Sequence, residues 1–576
     1  MFEEFLDKTN VSRANQVNNY MITDFCHNID ECDDNLSEKL ENFNDAVTHL
    51  LGWRDRMSRF LEYINVKLWL CIILIALLSC SIAIFCDFFA AKLLNSRFAL
   101  VRTFDRFDIQ IGLWVMSSIV LALIATSFCG FLSTDAQGSG IPDVKTIISG
   151  INFYKRLTIK TLIAKVFGMC FIQAAGFLIG FQGPIIHVSA IVANNVMKLP
   201  IFREFDRSNF HRRQILTASV ACGVVCTFGT PYGGVLFSVE LCSSIYLISN
   251  LFKTYVCGIV AYELFQHVHQ FEGFFDDYKN EPLQNKKGDS SFHFIVLGII
   301  LGYLGSFVIY VAGKLVQLKN SSDFEVFKNR YLFIPLAAFF IAAITYFEDN
   351  FWYGNRQIMI DLFNRESLTS EQASGMWTSD HMALLLFSSF VIRAIVMFVM
   401  LCSPIPNGVF APSVIMGGLI GRLYAEVGNI YFEANLNRRV CAVAGAGAFA
   451  GILTKTTSPI LIMLELTEEM SYLKGLVLTT LIGNAIVGVY TMSLFDTLLN
   501  IRKLPFLPVL YSSLWYKRIA AEIMQPTKYV IHKQANLIDL LAILAEDPEI
   551  NKENYIPVVE SLEDRKSTRL NSSHLG

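Results

Sequence analysis

Gly180-Phe181-Gln182-Gly183-Pro184 interrupts a long apolar region with a polar stretch broken by glycine and proline. At membrane depth, backbone that leaves helical geometry is tolerated only where protein buries it or where it lines a watery cavity. Pro184 suits the first position of a helix, where its missing N–H costs nothing. The glycines let the backbone approach a ligand closely. The N–H groups of the helix that starts here have no intrahelical acceptor and lie at its positive dipole end, so an anion is the natural guest. Gly138-Ser139-Gly140-Ile141-Pro142 and Gly408-Val409-Phe410-Ala411-Pro412 have the same character. Three such helix starts in one membrane chain predict an anion pathway.

Composition places these breaks in a polytopic membrane protein. Of the 576 residues, 53% are hydrophobic and only 17% charged, and the mean hydropathy is +0.44. A net charge of −3 argues against a nucleic-acid partner. The 13 cysteines contain no CxxC pair, so neither a zinc site nor a disulfide framework is indicated. Cys71 and Cys222 read as small core residues. No metal cluster, nucleophile–base set or phosphate loop is evident, which leaves an enzyme the least supported class. Residues 1–66 are polar and mildly acidic, without a cleavable signal. Arg54, Arg56, Arg59 and Lys67 precede the first span and favour a cytoplasmic N-terminus.

Apolar runs predict spans at Leu68–Cys86, Ile111–Gly130, Thr161–Gly180, Ile215–Phe228, Gly233–Ser249 and Phe252–Phe265. A polar connector, Glu272–Asp289, separates them from Phe294–Leu315, Tyr331–Tyr346, Met382–Leu401, Ser413–Val427, Val440–Leu453, Pro459–Leu466 and Leu476–Val489. Each half contains Gly/Pro-interrupted segments, the pattern of inverted repeats with a binding site at their interface. After Pro508 the chain turns polar. Ala521–Gln525 with Tyr529–Ile531, then Asn536–Leu544, then Tyr555–Val559 read as strand, helix, strand. Asp564–His574 matches a translated sequencing-library adapter, so 564–576 is set aside.

The three breaks resemble, in order, the pore signatures GSGIP, G(K/R)EGP and GxFxP of the CLC family of chloride channels and chloride/proton antiporters. The resemblance continues through Gly234–Glu240, Gly445–Gly451, Leu464–Thr467 and Lys503–Pro508. It implies an all-α membrane domain over 67–515, built as two inverted halves (about 67–270 and 292–515) of many tilted helices. It also implies a homodimer with one pore per subunit and cytoplasmic termini. Residues 516–563 resemble the opening of a CBS domain, an α/β module that is paired in eukaryotic members. Only part of the first is present, so no complete nucleotide site and no cofactor is expected, and the natural protein is expected to continue.

The resemblance also assigns roles. Chloride would meet Gly138, Ser139, Gly140, Ile141 and Pro142 at the first break, Gly180, Phe181, Gln182, Gly183 and Pro184 at the second, and Gly408, Val409, Phe410, Ala411 and Pro412 at the third. Ser139 would donate its hydroxyl to the ion; some plant relatives carry Pro there and prefer nitrate. The plain alternative is an ordinary helix cap. Val409 and Phe410 would offer backbone N–H groups, neutral donors that bind an ion yet release it. Phe506 stands where most relatives have Tyr and lacks the hydroxyl, a loss of about 0.5–1.5 kcal/mol. Lys145 would line the inner vestibule and concentrate chloride by its field, or else snorkel at the interface. His187 reads as a packed histidine.

Two departures decide the branch. Gln182 occupies the gate position, where the family usually has Glu; it is neutral and cannot carry a proton. A single-base sequence error is the plain alternative, and vertebrate kidney-type members also lack this Glu. Leu241 occupies the place of the exchangers' inner proton acceptor. Glu240 before it reads as a structural, hydrogen-bonded acid. The resulting expectation is a passive chloride channel of the channel branch, with weak or atypical voltage gating, in the plasma membrane. The alternatives are a chloride/proton antiporter, which needs carboxylates at 182 and 241, and a poorly conducting subunit that needs an accessory partner.

Overall fold

Lipid offers the backbone no hydrogen-bond partner, so the charge-free runs satisfy themselves as helices. The computed structural model describes residues 65–504 apart from 152, 154–155, 243–249, 271–290, 323, 353, 364–367, 369–376 and 378–380, together with 531–532 and 558–559. The first half consists of α1 (Val66–Arg102), α2 (Phe107–Phe131), α3 (Ile141–Ile148), α4 (Ile159–Ala174), α5 (Gln182–Met197), α6 (Arg203–Arg207), α7 (Asn209–Phe228), α8 (Pro231–Phe237) and α9 (Leu251–Gln270). The second consists of α10 (Ser291–Ser321), α11 (Glu325–Lys328), α12 (Arg330–Thr345), α13 (Asn355–Phe363), α14 (Met382–Cys402), α15 (Phe410–Tyr431), α16 (Arg438–Thr454), α17 (Ser458–Thr467), α18 (Leu473–Tyr490) and α19 (Leu494–Ile501). Among the described residues, five helical segments are long and apolar enough to cross a bilayer, or six if the bent pair beginning at α5 counts as one. The others are shorter, so this is an all-helical membrane domain with helices of unequal length.

Two boundaries differ from the sequence expectation for identifiable reasons. Helix α1 runs through 37 residues instead of stopping at Cys86. Its Arg97 would be prohibitive in lipid but is buried and satisfied. The guanidinium donates to the carbonyls of Ala174 (2.9 Å) and Trp114 (3.0 Å) and to Ser117 Oγ (3.0 Å), and lies 4.1 Å from the centre of the Trp114 ring. Helix α4 stops at Ala174 rather than Gly180. Gly176, at φ +91°, turns the chain out of the helix, and Ser118 Oγ holds the freed carbonyl of Ala175 at 2.6 Å.

The halves share one apolar core that extends from Leu68 to Leu498. Two close approaches organise it. Helices α15 and α16 cross so tightly that a Cβ on Gly421 would run into the Cys441 carbonyl oxygen, and one on Gly445 into that of Gly417. Helices α8 and α17 exchange caps. Glu465 of α17 accepts the Tyr232 and Gly233 N–H groups at the start of α8, both at 2.9 Å. Glu240, three residues after α8, accepts those of Thr457 (2.8 Å) and Ser458 (2.7 Å) at the start of α17, and also the Thr457 hydroxyl. Each half thus places a carboxylate on the positive end of the other's helix, the reciprocal contact that an inverted repeat produces.

The chain divides into two compact units at Leu507/Pro508. In the second, Ile531–His532 pairs in parallel with Val558–Val559, Ile531 opposite Val558, at the places where strands were expected. The rest of the CBS-like reading, and residues 564–576, lie outside the described residues.

Candidate anion pathway

The three sequence breaks meet. Gly180 N–H donates to the Gly408 carbonyl at 2.8 Å, and a Cβ on Gly408 would collide with the Gly180 carbonyl oxygen, so the second and third breaks touch backbone to backbone. The first break joins them from the other side. Gly138 N–H donates to Ile405 O (2.9 Å), and Asn407 N–H to Gly138 O (3.4 Å). Ser139 Oγ sits where a side chain on Gly183 would be. Gly138 and Gly140, at φ +75° and +81°, give the turn that starts α3, with Ile141 and Pro142 in its first turn. Pro184 and Pro412 stand in the first turns of α5 and α15. Three helix starts, each with first-turn N–H groups lacking an intrahelical acceptor, therefore converge on one buried spot.

The side chains there are neutral donors and spacers. Ser139 is buried, and its hydroxyl has no partner among the described residues. Gln182, at the head of α5, is only 8% exposed, and its Oε1 is likewise unpartnered. Phe181 is half-buried beside it. The Phe410 ring packs between those of Phe228 (5.2 Å) and Phe237 (5.3 Å), fixing the start of α15 behind its Val409 cap. His187, one turn further along α5, presses on Gly140 and is fully buried; it is packed as expected, but neither ring nitrogen has a partner among the described residues.

A cavity of about 370 Å³ opens onto Gly138, Ser139 and Asn407. Arg156, Lys319 and Arg502 line it, with Asp135 and Asp143 as the acids. Asp143 is paired with Arg156 and lies 3.8 Å from Arg502. Lys145, expected at this vestibule, is instead ion-paired with Asp496 of α19 at 2.6 Å and is not among the lining residues. The three lining cations were missed from the sequence because they come from distant segments. So was Lys165 of α4, wholly buried, whose Nζ donates to Gly138 O (3.0 Å) and Ala136 O (3.3 Å). A lone lysine inside the run 161–180 was the available signal. Leu241 is buried and apolar, and Glu240 is occupied with capping α17. Phe506 lies outside the described residues.

Comparison with known proteins places this arrangement. The family model described as "Voltage gated chloride channel" matches residues 119–488. Chloride channel protein E of Dictyostelium discoideum is 28% identical over 552 residues, covering 90% of this chain and 54% of that protein. A chloride channel protein of Torpedo marmorata is 27% identical over 559 residues, covering 90% and 68%. The chain thus spans about half to two thirds of the length of these relatives. Its fold matches the crystal structure of a eukaryotic CLC transporter with a TM-score of 0.70 at 26% identity, over 86% of this chain and 85% of that one. It also matches a cyanobacterial Cl⁻/H⁺ antiporter with a TM-score of 0.63 at 17% identity, over 76% and 98%, a likeness of fold alone. With the convergent helix starts and the family model over most of the membrane domain, the chain belongs to the voltage-gated chloride channel family.

Proposed function

We propose that this chain forms a passive chloride channel rather than a chloride/proton antiporter, as a homodimer with one pore per subunit, in the plasma membrane with both termini cytoplasmic. The observation that carries the reading is Gln182, buried at the head of α5 with its Oε1 against Gly180, the position where the family's gate carboxylate is expected. An amide there neither competes with chloride as an anion nor transfers a proton. Leu241 supplies no second carboxylate, and Glu240 has its oxygens filled by N–H and O–H donors of 457–458. Without a titrating gate, voltage and pH dependence are weak. Chloride is held by Ser139 and by first-turn N–H groups, donors weak enough to let it leave.

The test is Gln182→Glu. An ionised carboxylate at the positive ends of these helices occupies the anion's place, so current at neutral pH falls several-fold. Protonation then removes the competitor, and current rises as external pH is lowered. Current in Gln182→Glu that is as large and as pH-independent as in the parent contradicts the assignment of Gln182 to the gate.

A further inference from the structure

Helices α10 and α19 wall the anion cavity on one side. Val316 and Lys319 of α10 line it, as do Leu498 of α19 and Arg502 just beyond. Other faces of the same two helices line a second cavity, of about 270 Å³. Gly313, Lys314 and Gln317 of α10, Asn500 of α19 and Thr491 just past α18 surround it.

The polar groups of this second cavity suit an anion. Lys314 is exposed and has no ion pair among the described residues; its ammonium lies 5.9 Å from the centre of the Tyr310 ring. None of the residues lining the cavity is acidic. Thr491 Oγ1 is buried without a partner among the described residues, a cost that a bound acceptor removes. The Asn500 amide donates to the Met492 sulfur at 3.3 Å, a weak acceptor that an oxyanion would displace. One ammonium, two amides and a hydroxyl match the oxygens of a phosphodiester.

The surface beside the cavity says what carries that phosphate. Tyr303, Phe307 and Tyr310 recur at helical spacing along α10, and all are exposed. Tyr303 meets Tyr490 at the end of α18, 5.8 Å between ring centres, and Val489 and Met492 are exposed as well. Helix α10 is long and apolar enough to cross a bilayer, so this stripe is where acyl chains lie, whereas a soluble anion makes no use of it. The cavity sits at the end of α19 that leads on to the C-terminal unit, cytoplasmic on the reading above, and that leaflet carries the acidic lipids.

We propose that the outer cavity binds the phosphate of an acidic phospholipid, its chains along the α10 stripe, and that the lipid braces α19 and thereby the wall of the anion cavity. The lipid site stands whether the pathway is passive or coupled; only its effect on conduction rests on the chloride reading.

The experiment uses purified parent protein, Lys314→Gln, Thr491→Val and, as a control away from the cavity, Lys328→Gln. Each is reconstituted into phosphatidylcholine vesicles with and without phosphatidylglycerol. Native mass spectrometry counts the lipid retained, and chloride efflux is measured in the same vesicles. The parent should retain phosphatidylglycerol in preference to phosphatidylcholine. Lys314→Gln should lower that retention about fivefold and Thr491→Val about threefold, with Lys328→Gln unchanged. Phosphatidylglycerol should raise efflux from the parent but not from Lys314→Gln. Retention without preference for the acidic lipid overturns the proposal, as does parent-like retention by both cavity variants. Displacement of the lipid by glycerol phosphate would make this a site for soluble anions and overturn it too. An equal rise of efflux in parent and Lys314→Gln overturns the brace. A parent that retains phosphatidylglycerol yet passes no chloride in any vesicle supports the lipid site and overturns the chloride-channel reading.

Discussion

A buried hydroxyl without a partner costs stability unless something visits it, and among the described residues Ser139 Oγ is such a group. On the proposed function, chloride is the visitor that the surrounding N–H groups select. Ser139→Ala therefore weakens chloride binding by about 0.5–1.5 kcal/mol, roughly two- to tenfold, with little change in thermal stability; titration of the purified variant measures it. Unchanged affinity would mean that Ser139 only shapes the turn. At this scale the sequence was readable where function needs a special backbone, because glycine and proline announce it. It was unreadable where function needs a charge from elsewhere. Lys145 stood next to the motif and looked suited to the vestibule, yet it pairs with Asp496, 351 residues away. Arg156, Lys319 and Arg502 reach the cavity from three segments that no local pattern connects.

At the scale of elements, capping links the two halves. Glu240 and Glu465 each take two backbone N–H groups of the opposite half's helix, so replacing either with Gln removes a charged cap. Glu240→Gln and Glu465→Gln should each cost about 0.5–2 kcal/mol, seen as a lower melting temperature in detergent at unchanged oligomeric size. Chloride affinity should be almost unaffected, since neither acid touches the breaks. A stability equal to the parent's in both variants would show that the exchange contributes nothing. Hydrophobic runs located most of these helices, and their ends failed where tertiary partners override composition. Arg97 extends α1 because Trp114 and the end of α4 receive it. Gly176 and Ser118 end α4 early although its sequence stays apolar to Gly180. Helices α13 and α19 were overlooked because eight or nine residues give a weak periodic signal.

For the whole molecule, the fold places three positive helix ends at one point and surrounds them with uncharged donors, a buried lysine and a cationic cavity. On the proposed reading, such a site attracts an anion without a carboxylate to gate it or a proton carrier to couple it. A Cl⁻/H⁺ antiporter shares this fold, and the proposed passive reading rests on two positions, Gln182 and Leu241. The deciding measurement is the reversal potential of currents from membranes expressing this chain, with chloride and proton gradients varied independently. The account predicts a shift of about 59 mV per tenfold change in chloride and none when pH alone is changed. A reversal potential that moves with pH at constant chloride would show proton coupling and contradict the passive pathway.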